Sequence, residues 1–370
     1  MSNQRIPTNT LLAAAQSDGA VQIPLIYIPL GDSAKIGIHV AVSVPGWNNN
    51  EPVKRIYEFD TGGKGFWVDS THLPLLEVEP LGSVETLYTS GNFYEGTAAL
   101  ATVSFPDATV PSGTSAPAIT ATVGLVTTFN RYPQGCMIQS TDPLVVVKRS
   151  NGETQTSVPD KFPIFTECYG DFGASLDATS GSPSLLSVLA QYVPTTQSSQ
   201  ALQSGFIVSV PTSASDKGYL ILGIGSALSA LFKTEVAMNP SGSPAYPLNG
   251  GGSVPTFSEQ IINADVAVGT LPPLQGLGIC LDTGCPKVVM HGGTTLTIGT
   301  SYPDNYGSGS LRIAVDGGTV LMDPGTDYNT MPSPTTNQGP GYINTGVQNF
   351  MAYQVMYNLS TGKLYLSGGG

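Results

Sequence analysis

The same short pattern occurs twice in this chain, and each copy directly follows an apolar, strand-like segment. The first copy is Tyr57–Gly63 (YEFDTGG) and the second is Ile279–Cys285 (ICLDTGC). An apolar run follows each, at Phe66–Val68 and at Val288–Met290. A single Asp-Thr-Gly sequence is weak support for a function, because Asp and Gly are common in turns. Two copies 222 residues apart in matching surroundings predict a duplicated unit with equivalent turns.

The composition favours a protein built mainly from β-strands. Charged residues are 11% of the 370, whereas Gly (44) and Pro (29) are abundant, which is typical of many short strands joined by turns. The clearest helical pattern is Ser184–Tyr192, which has a proline before it and several leucines on one face. Strand-like patterns occupy Val21–Pro29, Ile36–Val44, Ile56–Asp60, Ala98–Phe105, Phe206–Val210 and Tyr219–Leu222. We therefore predict an all-β, or β-dominated, fold.

The length suits two domains joined near the middle of the chain. Asn239–Pro255 is the longest Gly- and Pro-rich stretch, and it lies between the two regions that carry the repeated pattern. We predict an N-terminal lobe with an N-terminal extension at 1–240, a linker at 241–255 and a shorter C-terminal lobe at 256–370.

The charge balance excludes some classes of partner. The formal net charge is −12, from 14 Lys and Arg against 26 Asp and Glu, and no basic cluster could follow a phosphate backbone. We therefore expect no nucleic-acid partner. The longest apolar stretches, such as Gly205–Val210, are shorter than the ~20 residues of a membrane helix, so we expect no membrane span. The composition favours a secreted or periplasmic protein, although Met1–Gln16 lacks the apolar core of a signal peptide.

The cysteines and histidines do not form a recognisable metal-binding pattern, so we expect no metal and no cofactor. Cys280 and Cys285 flank the second Asp-Thr-Gly, and a disulfide between them would have to close across that turn, which argues against it. Cys285 also lacks a basic partner for nucleophilic chemistry, and we interpret it as a small buried residue. The full set is Cys136, Cys168, Cys280 and Cys285, with His39, His72 and His291.

Two aspartates at equivalent turns are suited to acid–base chemistry. When two carboxylates lie a few ångströms apart they cannot both ionise, so one keeps a proton while the other is a base. A water held between Asp60 and Asp282 would lose a proton to the ionised carboxylate and attack a peptide carbonyl, while the protonated carboxyl would donate to the developing oxyanion. The repeated motif thus predicts hydrolysis by a shared-proton pair.

These motifs resemble the pepsin-like aspartic proteases. The resemblance implies a bilobal fold with two similar β-barrel-like lobes around a central cleft. It implies that Asp60 and Asp282 are catalytic and that they are supported by four neighbours, Thr61, Gly62, Thr283 and Gly284.

The resemblance extends beyond the two turns. Trp67 keeps the family's interval of seven residues after the first aspartate. Tyr88–Gly96 (YTSGNFYEG) looks like the family's hairpin flap with one extra residue, and it implies a cleft role for Tyr88 and Gly91. Further segments match in the family's order, namely Tyr169–Ala174, the Ser184–Tyr192 helix, Phe206–Val210, Gly218–Gly223, Tyr342–Gly346 and Tyr353–Leu366.

The chain also departs from the family pattern. Family members usually carry Ser or Thr after each Asp-Thr-Gly, whereas this chain has Gly63 and Cys285, and the loss of a hydroxyl donor should raise the carboxylate pKa and slow turnover. Asp171 and the pair Asn344-Thr345 are polar where the family prefers apolar residues. Only 88 residues follow Asp282, so we expect trimmed loops in the second lobe.

The resemblance implies an aspartic endopeptidase that acts on peptide or protein substrates. One chain contains both aspartates, so we expect a monomer. Residues Met1–Gly46 contain no Lys-rich run, so we expect no conventional zymogen switch, and part of them could be a pro-segment or an added edge strand. Two alternatives stay open: a pepsin-fold binding or inhibitor module without protease activity, and a carbohydrate-binding or structural β-sandwich of a secreted or surface assembly.

Overall fold

The computed structural model describes residues 5–31, 33–70, 78–88, 90–131, 137–138, 146–148, 154–156, 160–161, 168–177, 184–191, 202–242, 244–247, 253–268, 273–291, 311–315, 320–322, 328–331 and 341–367. Strands dominate these ranges, so the prediction of a β-dominated protein is confirmed. The helices in the same ranges are too short or too polar to cross a membrane.

Twenty-six strands and four α-helices lie within the described ranges. The helices are α1 (Thr8–Asp18), α2 (Leu185–Ala190), α3 (Ser226–Ser229) and α4 (Gly346–Ala352), and Asn48–Asn50 forms a 3₁₀ turn. The strands are β1 (Val21–Leu30), β2 (Ser33–Ser43), β3 (Val53–Asp60), β4 (Phe66–Asp69), β5 (Gly82–Leu87), β6 (Asn92–Ser104), β7 (Ala118–Arg131), β8 (Met137–Ile138), β9 (Val146–Lys148), β10 (Thr154–Thr156), β11 (Asp160–Lys161), β12 (Gly170–Gly173), β13 (Gln203–Ser209), β14 (Gly218–Ile224), β15 (Phe232–Ala237), β16 (Tyr246–Pro247), β17 (Ser253–Val254), β18 (Ile262–Val268), β19 (Leu274–Cys280), β20 (Val288–His291), β21 (Leu311–Ala314), β22 (Val320–Met322), β23 (Tyr328–Met331), β24 (Tyr342–Asn344), β25 (Val355–Asn358) and β26 (Lys363–Ser367).

Two large sheets contain most of these strands. The larger has the order β15-β26-β25-β13-β14-β1-β2-β3-β12-β4-β7-β6-β5, and β11 pairs with β7 at its side. The second has the order β22-β21-β18-β19-β24-β20-β23. Two small sheets, β10-β9-β8 and β16-β17, complete the described strands.

The two Asp-Thr-Gly segments occupy the same position in a repeated three-strand arrangement. In the first half, β12 lies between β3 and β4, parallel to β3 and antiparallel to β4. In the second half, β24 lies between β19 and β20, parallel to β19 and antiparallel to β20. Each Asp-Thr-Gly turn therefore connects the two outer strands of a three-strand group, β3 to β4 in the first half and β19 to β20 in the second. The third strand of each trio, β12 or β24, lies between them.

An aromatic cluster fixes the first trio. Phe172 of β12 stacks on Phe59 of β3 at 6.1 Å between ring centroids and meets Phe66 of β4 edge-on at 5.2 Å. Tyr57 packs edge-on against Phe66 at 4.8 Å. All four rings are buried, and such pairs add to the stabilisation from apolar burial. These aromatic contacts thus fix β3, which ends at Asp60, against β4 and β12.

The six predicted strands are present, with ends that differ by a few residues. The predicted helix at Ser184–Tyr192 is present over Leu185–Ala190, and the Ser184 hydroxyl caps it by accepting the Ser187 N–H at 3.4 Å. Pro183 and Tyr192 lie outside the described residues.

The interpretation of the N-terminal segment as an added edge strand is wrong. β1 pairs with both β14 and β2 and is an interior strand of the larger sheet. The preceding helix α1 was not predicted, and Arg5 ahead of it donates to the backbone carbonyls of Phe350 and Val210. These pairings need partners far along the chain, which a local pattern does not show.

The sheets do not divide at the predicted linker. Residues 241–255 contain the β16–β17 pairing. After them the chain builds the second sheet, but its last two strands return to the larger one, where β25 pairs with β13 and β26 pairs with β15. The larger sheet therefore includes strands from both ends of the chain, and the division into lobes at 1–240 and 256–370 stays a prediction.

Candidate active site

The two Asp-Thr-Gly turns face each other and bring their carboxyls together. A Cβ atom added to Gly62 would lie 2.4 Å from the Asp282 Cγ, and one added to Gly284 would lie 2.2 Å from the Asp60 Cγ. Both aspartates are 9% exposed, and each carboxyl lies against the backbone of the opposite turn. Each glycine is thus required because the opposite carboxyl packs directly on its backbone.

Backbone N–H groups orient both carboxyls in the same way. Gly62 and Gly63 donate to Asp60 Oδ1 at 2.8 and 2.9 Å. Gly284 and Cys285 donate to Asp282 Oδ1 at 2.7 and 3.1 Å. The inner oxygen, Oδ1, of each aspartate is fixed by its own turn, and Oδ2 is left for other partners.

The two threonines lock the turns to each other. The Thr61 N–H donates to Thr283 Oγ1 at 3.0 Å, and the Thr283 N–H donates to Thr61 Oγ1 at 2.9 Å. Each hydroxyl then donates across the interface, Thr61 to the Leu281 carbonyl at 2.8 Å and Thr283 to the Phe59 carbonyl at 2.5 Å. Four reciprocal hydrogen bonds therefore set the relative position of the two turns.

The electrostatics of the pair favour retention of a proton. Burial, followed by the charges of Asp282, Asp171 and Glu58, holds the pKa of Asp60 well above its usual range. Two carboxyls held a few ångströms apart cannot easily ionise together, so such an arrangement favours the retention of one proton. The site can therefore offer an acid and a base at the same pH.

Lys35 connects the two halves beneath the dyad. Its ammonium group contacts the Glu58 carboxylate and the Gly284 carbonyl. Burial works against this charge, but Glu58 and the two dyad aspartates outweigh it and raise the pKa of Lys35. Lys35 therefore stays charged and partly balances the acidic groups around the dyad.

The predicted flap is a β-hairpin that reaches toward the site. β5 and β6 pair along Gly82–Leu87, and Gly91 donates to the Tyr88 carbonyl at 2.8 Å with a φ of 91°, which favours glycine. The Tyr88 hydroxyl donates to Asp171 Oδ2 at 2.5 Å. Burial and the Asp171 carboxyl raise the pKa of Tyr88 well above its usual range, so this hydroxyl keeps its proton.

Trp67 lies beneath the hairpin. Its ring packs on Tyr94 at 5.8 Å, and Tyr94 in turn meets Tyr88 edge-on at 5.3 Å. The indole N–H donates to the Lys64 carbonyl at 3.0 Å. A Cβ atom on Gly124 would lie 2.6 Å from the indole ring, so glycine makes room for it. The sequence-predicted Trp67 and Tyr88 are thus linked through Tyr94, and Gly91 closes the turn that follows Tyr88.

Cys285 is free and does not support the dyad through its side chain. Its thiol donates to the Lys287 carbonyl at 3.0 Å, and burial raises the pKa of the thiol to about 12. Cys280 is also a free thiol, so no disulfide joins Cys280 to Cys285. Cys136 and His72 lie outside the described residues. Within the described ranges, no three His, Cys, Asp or Glu side chains are grouped so that they could hold a metal ion.

His291 is a buried neutral group near the second turn. It lies on β20, is 8% exposed and stacks on Tyr342 with 4.1 Å between ring centroids. Burial lowers the pKa of His291 to about 4, against the opposing effect of the Asp282 charge. The imidazole is therefore uncharged above about pH 4 and charges only in more acidic solution.

We predict that His291→Phe reduces acid destabilisation by roughly 3 kcal/mol. The unfolded imidazole binds a proton near pH 6.5, whereas the folded one does so only near pH 4. The free energy of unfolding of the wild type therefore falls as the pH drops through this window, and Phe keeps the stacking without the titration. Urea unfolding of both proteins at several pH values measures the difference, and a difference that does not change with pH would contradict the prediction.

Several residues of the site were not predicted as functional. Lys35 and Glu58 show no local signal, because their meeting depends on the pairing of β2 with β3. Asp171 and Asn344 stood out as polar residues at apolar positions, but the sequence did not show what they contact. Lys64, which follows the first Asp-Thr-Gly-Gly segment, was also not predicted as functional, and its ammonium group forms ion pairs with Asp177 at 2.7 Å and Glu259 at 3.3 Å.

The arrangement as a whole is a pair of buried aspartates on facing turns, beside a hairpin that carries a tyrosine. It can activate a water molecule without a metal ligand set. The chain matches no protein-family model and no curated protein with which it was compared.

Proposed function

We propose that the chain is an aspartic endopeptidase in which Asp60 and Asp282 share one proton. The observation that carries the proposal is that two buried carboxyls each pack on the opposite turn while their Oδ1 atoms are fixed by backbone N–H groups. Among the described residues no cation forms a salt bridge with either aspartate, so a purely structural pair of buried acids would cost stability. A preorganised acid and base is the chemical use of such a pair.

Hydrolysis proceeds through a water molecule between the carboxyls. The ionised carboxylate takes a proton from the water as its oxygen bonds to the peptide carbonyl carbon, and the protonated carboxyl donates to the carbonyl oxygen. The resulting tetrahedral species then loses the amine, which receives a proton from one carboxyl as the C–N bond breaks, while a hydroxyl of that species returns its proton to the other carboxylate as the C=O bond re-forms. The products are a carboxylic acid and an amine, and the pair again holds one proton.

The repeated topology supports a bilobal pepsin-like fold as part of the proposal. Both halves contain the same strand trio, the same pair of N–H donors to Oδ1 and a threonine of the reciprocal lock. A helix follows the inserted strand in each half, α2 after β12 and α4 after β24. In this interpretation the β5–β6 hairpin is the flap, and a peptide would lie between Tyr88 and the dyad.

The test is cleavage of a denatured protein from about pH 3 to 7, with and without pepstatin. We expect cleavage within this range that pepstatin abolishes, as for a shared-proton pair. Circular dichroism at each pH shows whether the chain is folded. A folded chain that cuts nothing across the range would overturn the proposal and favour a binding module with the same fold.

A further inference from the structure

The outer oxygens of the two aspartates have different partners. Asn344 donates through Nδ2 to Asp282 Oδ2 at 2.6 Å. The orientation of this amide is fixed, because Asn344 Oδ1 accepts the Gly346 N–H at 2.9 Å. Asp282 thus receives a permanent donor on its outer oxygen, and such a bond favours the ionised carboxylate.

Asp171 is the counterpart of Asn344 in the first half. It lies opposite Glu58 in the β12–β3 register, two residues before Asp60, just as Asn344 lies opposite Cys280, two residues before Asp282. Asp171 is 2% exposed. The two strand trios therefore place an acid in one half and an amide in the other at equivalent positions.

Asp171 presents an oxygen toward Asp60. A Cβ atom on Gly63 would lie 2.6 Å from Asp60 Oδ2 and 3.2 Å from Asp171 Oδ2, so both oxygens flank the same point. Asp171 Oδ2 already accepts the Tyr88 hydroxyl, and Oδ1 is buried with no partner. A proton on Oδ1 would leave Oδ2 as an acceptor, and an acceptor favours the protonated form of its neighbour.

We propose that these two residues decide which aspartate carries the shared proton. Asn344 holds Asp282 as the carboxylate that takes the proton from water. Asp171 keeps the shared proton on Asp60. Both are positioning residues that act through the dyad, and the assignment rests on the proposed function only for its effect on hydrolysis.

The charge environment of the first half agrees with this assignment. Burial and the charge of Glu58 raise the pKa of Asp171 well above its usual range, although the Tyr88 hydrogen bond and Lys35 lower it. These effects together favour the neutral form of the Asp171 carboxyl. The titratable and charged groups around the dyad are Lys35, Glu58, Tyr88, Tyr94 and Asp171 from the first half and Glu259, Cys280, Cys285, His291 and Tyr342 from the second.

The test replaces each positioning residue by leucine, which is similar in size and cannot form the hydrogen bond. Asn344→Leu removes the donor to the carboxylate, so the acid limb of the pH–activity profile is expected to move up by about 1–2 pH units. Asp171→Leu removes the acceptor beside the protonated partner, so the alkaline limb is expected to move down, by about 1 pH unit. Packing damage alone would lower activity without moving the two limbs separately.

A rescue variant and a control complete the design. Adding Cys285→Thr to Asn344→Leu supplies a hydroxyl next to the Asp282 carboxyl, and it is expected to return the acid limb toward its wild-type position. Asn358→Leu is the matched control, because Asn358 is also buried and donates through Nδ2 at 2.6 Å, but to Gln203 away from the dyad. It is expected to lower stability and leave both limbs in place.

Carbon-13 NMR of the aspartate carboxyls gives a readout that needs no turnover. Between the two ionisation steps, the Asp60 Cγ is expected to show the shift of a protonated carboxyl and the Asp282 Cγ that of a carboxylate. The reverse assignment, or titrations that Asn344→Leu leaves unchanged, would overturn the inference. If the wild type cuts no substrate but shows the expected titration, the proposed function fails and the proton assignment stands.

Discussion

Asp60→Asn is expected to lower the rate of peptide hydrolysis by about 10²–10⁴-fold. The amide has nearly the shape of the carboxyl, so the fold and the hydrogen bonds from Gly62 and Gly63 to Oδ1 can persist. It cannot carry the shared proton or act as the acid of the pair. The loss should therefore appear mainly in kcat, because a group that acts in the transition state has been removed.

The same substitution is expected to raise the free energy of unfolding at neutral pH. A carboxyl whose pKa is raised in the folded protein stabilises the fold fully only below its unfolded pKa of about 3.8, and this contribution is lost as the pH rises through the folded pKa. Asparagine has no such titration. The gain over the wild type should therefore be largest at neutral pH and should shrink as the solution becomes acidic.

Asp216→Asn is the control for both effects. Asp216 lies in an exposed turn, where its Oδ2 accepts the Thr212 N–H at 3.0 Å. Activity should be unchanged in this variant, and stability should fall slightly. Hydrolysis assays with urea unfolding across the pH range measure both quantities. An Asp60→Asn protein that cuts at the wild-type rate would rule out a catalytic role for this aspartate.

The sequence predicted the site best where local motif and position in the repeat agree. Asp60 and Asp282 were paired from the repeated turn, and the structure places each carboxyl against the opposite turn. The strand that carries each aspartate was also predicted, since its apolar pattern is local. The hairpin that carries Tyr88 was implied by the resemblance to the family's flap, and the positive φ of Gly91 fits the turn that such a hairpin needs.

What could not be predicted depends on distant pairing. The partner of Asp171 is Tyr88, 83 residues earlier, and the partner of Asn344 is Asp282, 62 residues earlier. The Asn344 contact follows from the position of β24 between β19 and β20, and the Asp171 contact also needs the β5–β6 hairpin to reach β12. Similarly, the interior place of β1 requires pairing with β14, which begins at Gly218. The sequence marked the polar residues as unusual, but only the strand order explains them.

The reciprocal lock between the turns leads to the second large expected effect. Thr283→Val keeps the shape of a side chain that is fully buried but removes its hydroxyl. The Thr61 N–H then loses its acceptor and the Phe59 carbonyl loses its donor. Leaving two such groups unsatisfied should lower the free energy of unfolding by about 2–4 kcal/mol.

Thr345→Val is a matched control, since Thr345 is equally buried and its hydroxyl donates to the Cys280 carbonyl at 3.2 Å, within the second half. Its cost should be about 1 kcal/mol, with little change in hydrolysis. Thr283→Val should also slow hydrolysis, because the lock sets how closely the two carboxyls approach. Urea unfolding and rate measurements on both variants check this. Equal losses of stability and activity in the two would show that the contact across the turns has no special role.

Thr61→Val, the counterpart variant, tests whether the four hydrogen bonds between the turns act as one unit. It removes the acceptor of the Thr283 N–H and the donor to the Leu281 carbonyl, so its cost should match that of Thr283→Val. If the four bonds act as one unit, the double variant should lose less stability than the two single losses added together, since the first substitution already frees the turns from each other. Strict additivity would instead mean that each bond only stabilises its own turn, and the approach of Asp60 to Asp282 would then have to be set by the surrounding sheets.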